Sequence, residues 1–222
     1  SDYTWLDIYY RSIPRRADDY LTVRDYLWRW DTDWFWCSGA LGVQNKAVRL
    51  LMGRKRLRSD VYWKIVALER KLGLSARIDR LLGLPARETV VQDIEVPIGE
   101  AAAFLEFFHR EIPISPVWVC PVRLRDTTAW PLYVMDPATL YVNFGFWSSV
   151  PLEPGEADST HNRLIERTVT AMRGRKSLYS ASFHDEDEFW SLYNGQAYRD
   201  LKARYDPGSR LLDLYDKCVR GK

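Results

Sequence analysis

The sequence predicts an α+β fold, and three observations predict it. Two segments, Thr89–Val96 and Thr139–Trp147, alternate apolar and polar residues with the period of a half-buried strand. Each is followed by a stretch with helical periodicity, so strands and helices interleave. The region before Pro85 shows no such alternation; it is crowded with aromatics and reads as helical, half of the ten tryptophans falling within its first 36 residues. At 222 residues, with 46% apolar content and mixed charge, the chain can bury a substantial core.

Taken in order, Tyr26–Trp36 carries the densest aromatic run. Ser59 can cap a helix with Val61, Ile65, Leu68 and Leu72 on one stripe, closed by Gly73, and Ser75 a shorter one reaching Leu82 and stopped by Gly83 and Pro85. In the first strand Val90, Ile94 and Val96 lie on one side and Val91, Asp93 and Glu95 on the other. Pro97 and Gly99 end it, and a helix from about Glu100 to Glu111 turns Phe104, Leu105 and Phe108 inward. Val117–Arg123 reads as a buried second strand. In the third, Leu140, Val142, Phe144 and Phe146 alternate with Thr139, Tyr141, Asn143 and Gly145. Asp158 or Ser159 can cap a helix with the stripe Leu164, Ile165, Thr168, Val169 and Met172, and Ser177–Phe183 completes the set as a fourth strand. The order βαββαβ is that of a ferredoxin-like sheet, with both helices on one face. Asp93, Glu95, Tyr141, Asn143 and Tyr179 then share the uncovered face. Acids at Asp185–Glu188 open a further helix, another spans about Gln196–Tyr205, and the tail Leu211–Cys218 is apolar enough to dock. The expected division is residues 1–86 as an aromatic-rich helical region and 87–222 as the ferredoxin-like domain with C-terminal helices.

A formal charge of +2 argues against a nucleic-acid-binding protein. The run Arg49–Arg58 is the local exception: a solvated helix end, or a contact for anionic head groups or a cofactor phosphate. Cys37, Cys120 and Cys218 are too scattered for a zinc site or a disulfide framework, which points to a reducing, cytoplasmic setting. The first residue is Ser rather than Met, which suggests a fragment. Dinucleotide, Walker, zincin and nucleophile-elbow motifs are missing. The histidines read as surface or helix-end residues, with His184 the most interesting because it leaves the sheet beside the acidic helix start. Asp31/Asp33 and Asp185/Asp187 read as caps, and Cys120 as a small core residue. No self-contained active site follows from these residues.

Six motifs nevertheless occur in one order: Val90-Val-Gln-Asp93, Pro116-Val-Trp-Val-Cys-Pro121, Leu140-Tyr-Val-Asn-Phe-Gly145, Leu178-Tyr179, Glu188-Phe-Trp190 and Leu214-Tyr-Asp-Lys-Cys218. Together they resemble the C-terminal half of the 24-dehydrocholesterol reductase (Δ24-sterol reductase) group, FAD-linked oxidoreductases of the vanillyl-alcohol-oxidase superfamily. The resemblance implies that a separate N-terminal domain, absent from this chain, binds most of the FAD, while this half is the substrate (cap) domain laid over the flavin. It implies hydride transfer between flavin and a sterol-like or other lipid substrate, with Tyr141, Tyr179 and His184 as catalytic candidates and Asp93, Arg123, Asn143 and Ser182 facing substrate or flavin. Ser182 stands where the similar decaprenylphosphoryl-ribose oxidases carry lysine, which favours a reductase-like site. The aromatic N-terminal region suits a large apolar substrate or a peripheral membrane contact. Two other classes compete: a non-catalytic interaction module derived from a flavoenzyme, and an RRM-like domain, disfavoured because Phe144 and Tyr141 lie on opposite faces.

Overall fold

A computed structural model describes residues 1–34, 37–39, 42–128 and 130–222. The chain forms two compact units, Ser1–Leu84 and Pro85–Lys222.

The first unit is helical: α1 (Tyr9–Ser12), α2 (Val23–Trp28), α3 (Lys46–Met52), α4 (Ser59–Leu72) and α5 (Leu74–Leu81), joined by 3-10 turns. Its small core holds Trp34, Val43 and Leu57, with Trp34 stacked on Tyr62 at 5.2 Å. Arg49 is fully buried, and its guanidinium donates to the carbonyls of Trp5, Thr32 and Val43. The Ser59 side chain does not cap α4; its hydroxyl and amide bond Asp31 instead. Gly73 closes α4 in the left-handed conformation, as expected. The expected stripe is only partly covered, since Leu68 and Leu72 are exposed. The Ser75 cap, and Phe35 and Trp36 of the aromatic run, lie outside the described residues.

The second unit contains β1 (Arg87–Pro97), α6 (Ala101–Glu111), β2 (Trp118–Val122), β3 (Tyr141–Pro151), α7 (Thr160–Ala171), β4 (Arg175–Lys176), α8 (Glu186–Leu192), α9 (Gly195–Tyr205) and α10 (Leu214–Cys218). Among the described residues the sheet has four strands, all antiparallel, in the order β2-β3-β1-β4. This is the α+β, ferredoxin-like order that the alternation predicts, with β3 beside β2. Val90, Ile94 and Val96 of β1 and Val142, Phe144 and Phe146 of β3 pack against Phe104 and Phe108 of α6 and Ile165 and Val169 of α7. Phe104–Phe144 and Phe108–Phe146 meet at 5.0 and 4.5 Å, so aromatic pairs tie α6 to the sheet.

Three expectations are corrected. Ser177–Phe183 is not a strand: only Arg175 and Lys176 pair with β1. Beyond them the Ser177 amide still bonds the Asp93 carbonyl of β1, but the Ser182 amide bonds the Cys218 carbonyl and the Phe183 amide the Glu166 carboxylate, so these two are satisfied by α10 and α7 rather than by a ladder. Strand β2 is an edge, not a buried strand, with Trp118 and Val119 exposed. Leu140 precedes β3 and is exposed rather than turned to the helices.

Nor does Asp158 or Ser159 cap α7. The buried Glu88 of β1 does so, accepting from the His161 and Asn162 amides at 2.9 and 2.8 Å and from the Asn162 side chain at 2.6 Å, with His161 Nδ1 at 2.9 Å. Burial alone would raise this carboxyl's pKa, but the helix amides and side chains outweigh it and hold the pKa below its ordinary value. Glu88→Gln should lower stability by about 1–3 kcal/mol, read from urea denaturation; an unchanged midpoint would show that the cap is dispensable.

Phe189, Tyr193, Tyr215 and Cys218 form a second cluster in this unit, so the tail docks from Leu214 to Cys218, whereas Leu211 and Leu212 are exposed. Asp185 caps α8 through the Glu188 amide at 2.9 Å. Among the described residues no helix is long and apolar enough to cross a membrane.

Candidate active site on the open sheet face

Because side chains alternate along each strand, the register maps the face that the helices leave uncovered. One cross-strand row is Trp118–Gly145–Asp93; the next is Cys120–Asn143–Glu95; Trp147 and Val91 flank the first row, and Val122, Tyr141 and Pro97 flank the second.

Glu95 is the anchor of this face and is 8% exposed. Its carboxylate accepts from the Asn143 amide at 2.7 Å, from the Ser177 hydroxyl at 3.3 Å and from the Tyr133 hydroxyl, which reaches in from the loop between β2 and β3. Burial pushes its pKa up, the three hydrogen bonds oppose that, and neighbouring Asp93 adds to it. Tyr133 is pushed up too, by burial and by the Glu95 charge. Asp93 also has a raised pKa, from burial, with Lys176 opposing. Among the described residues the Asp93 carboxyl accepts no hydrogen bond. It leans across Gly145, where any Cβ would overlap Asp93 Oδ1 and crowd Trp118. A side chain at this position would have to turn the Asp93 carboxyl away, so the glycine matters here for space, not for backbone angle.

Tyr179 lies in a turn beyond β4, not on a strand, and is 57% exposed. Its hydroxyl is pushed up to about 12 by desolvation and by the nearby Asp93 and Glu95 charges, so it still borders the carboxyl pair. The other candidates scatter. Tyr141 is buried on this face, its hydroxyl accepting from the Asp136 amide at 3.1 Å, which spends it on holding the loop. Arg123 is exposed one residue past β2. Ser182 and His184 are buried against α7: the Ser182 hydroxyl donates to Glu166 at 3.2 Å, and His184 lies between Glu166 at 3.5 Å and Glu188 at 2.9 Å. Neither is on the open face, because the segment carrying them never joins the sheet. Cys120 is half-exposed on this face rather than a core residue.

Sequence reasoning therefore brings Asp93, Asn143 and Tyr179 together and misses Tyr133 and Lys176. An acid at every second residue of an otherwise β-branched strand was the legible signal for Asp93 and Glu95. Tyr133 sits in a loop without periodicity and carries no signal of its own.

The result is an α+β module, an antiparallel sheet with α6 and α7 on one face and, on the other, Asp93 in one row with Trp118 and the buried Glu95 in the next. The curated proteins it resembles are specific. Over 213 residues, 95% of this chain and 39% of theirs, it is 26% identical to the Delta(24)-sterol reductase of Rattus norvegicus and 25% identical to that of Homo sapiens. It is 26% identical to that of Arabidopsis thaliana over 149 residues, 60% of this chain and 27% of that one. The resemblance to the C-terminal half of the Δ24-sterol reductase group thus extends over nearly the whole chain, which spans 39% of the length of the mammalian relatives. No family model and no solved structure matches the chain.

Proposed function

We propose that this chain is the substrate-side portion of a FAD-dependent oxidoreductase acting on a sterol or a lipid of similar shape. The observation that carries the reading is the similarity, over 95% of the chain, to proteins named Delta(24)-sterol reductase. The open face supports it. Gly145 leaves the middle of the sheet flat, Trp118 and Trp147 stand on the same face beside it, and Asp93 sits at the centre, an arrangement that fits a planar ring system laid against it.

Bound FAD would supply hydride exchange with a substrate carbon. Saturating a carbon–carbon double bond then requires one hydride and one proton, and the protein's part is the proton. Asp93 is the candidate donor: burial favours its protonated carboxyl, with the Lys176 charge opposing. Glu95 stays in place through Tyr133, Asn143 and Ser177 and acts on Asp93 rather than on substrate. Tyr179, Trp118 and Trp147 limit water at the carboxyl.

The test is to join this chain to a FAD-binding domain of a relative and follow conversion of a Δ24-unsaturated sterol by mass spectrometry together with flavin absorbance. Saturated product and a sterol-dependent flavin change are expected; a flavin-loaded protein that shows neither with any sterol or isoprenoid alkene would sink the reading.

A further inference from the structure

We infer that the first unit contains a binding cleft for a phosphate group carried on an apolar or aromatic moiety. A cavity of about 370 Å³ in this unit is lined by Arg24 of α2, by Arg54, Lys55 and Arg58 between α3 and α4, and by Trp28 and Asp31. Four cations thus converge on one small space from two separate segments. Asp31 is the carboxylate in the lining, and it already accepts from the Ser59 amide at 3.3 Å. Arg58 is paired, with Asp60 at 3.0 Å and Asp31 at 4.0 Å. Arg54 donates to the Thr4 hydroxyl at 2.8 Å and has no carboxylate partner among the described residues; Arg24 and Lys55 have neither a hydrogen bond nor an ion pair there.

Asp31 in the lining and Asp2 near Arg54 offset only part of the repulsion among these cations, and an anion seated among them removes more of it while gaining charge-assisted hydrogen bonds. Guanidinium groups match the geometry of phosphate oxygens, and the lysine adds a point charge. Trp28, 54% exposed, gives the cleft an apolar wall. That wall distinguishes a phosphate ester from inorganic phosphate, because only the ester has an apolar part to lay against the indole. A phosphorylated soluble molecule and an anionic lipid head group both present this chemistry.

Calorimetric titration of the full chain with phenyl phosphate and with inorganic phosphate, and cosedimentation with phosphatidylcholine vesicles containing phosphatidic acid, test the cleft. Phenyl phosphate should bind more tightly than inorganic phosphate and weaken as salt rises. Arg24→Glu and Lys55→Glu, both exposed and without bonds to lose, should each weaken binding by about tenfold or more, with an unchanged melting profile. Vesicle binding that the same variants abolish identifies the source as a lipid head group; phenyl phosphate binding without vesicle binding identifies a soluble ester. Failure of every probe to bind, or equal binding by the variants and the unaltered chain, overturns the inference.

Discussion

Asp93→Asn is expected to lower turnover of the flavin-loaded enzyme by about 10²-fold or more, the usual scale for loss of a positioned acid. The substitution keeps shape and volume, and among the described residues the Asp93 carboxyl accepts no hydrogen bond, so folding should change little. The pH dependence gives the sharper readout. A proton donor must be protonated, and burial raises the Asp93 pKa, so activity should persist above the ordinary carboxylate range and then fall as pH rises through the raised value. In Asp93→Asn that falling limb should vanish. Flavin reduction should be measured separately, since a proton-delivery defect spares it. Tyr141→Phe is the contrast: it removes the acceptor of the Asp136 amide, costs about 1 kcal/mol of stability, and should leave turnover within a few fold. Near-normal turnover of Asp93→Asn with an unshifted pH profile would remove Asp93 from the mechanism.

The second large effect concerns stability. Asp33, 1% exposed in the helical unit, accepts from the Ser38 hydroxyl through one oxygen, while the other has no partner among the described residues. Burial pushes its pKa up to about 7, against the lowering influence of Ser38 and Arg49. The folded state therefore holds a proton that the unfolded chain releases near the ordinary aspartate value of 3.8. The stability linked to that proton is fully present below 3.8 and is lost as pH rises through about 7, in total on the order of 4 kcal/mol. Urea denaturation followed by tryptophan fluorescence at pH 5, 6, 7 and 8 should show the midpoint falling. Asp33→Asn, neutral throughout, should flatten that fall and be the more stable form at pH 8. Parallel pH profiles for the two proteins would exclude Asp33 as the titrating group.

What the amino-acid order alone determined was the sheet and its two faces. Val90, Ile94 and Val96 against Asp93 and Glu95, and Val142, Phe144 and Phe146 against Asn143 and Gly145, admit one register, because a slip of one residue would expose every apolar side chain. The helices α6 and α7 followed from periodicity for the same reason, and the six motifs carried the likeness to sterol reductases. Tertiary structure alone decided the rest. Glu88 caps a helix 73 residues further on, and Tyr133 closes on Glu95 across 38 residues; neither distance leaves a periodic trace. The segment Ser177–Phe183 has strand-like composition, and its Ser177 amide still bonds the Asp93 carbonyl of β1, but at Ser182 and Phe183 the acceptors are the Cys218 carbonyl of α10 and the Glu166 carboxylate of α7. Local pattern reports which face a residue prefers. Which partner satisfies a backbone group or a buried charge depends on whatever the rest of the chain brings within hydrogen-bonding reach.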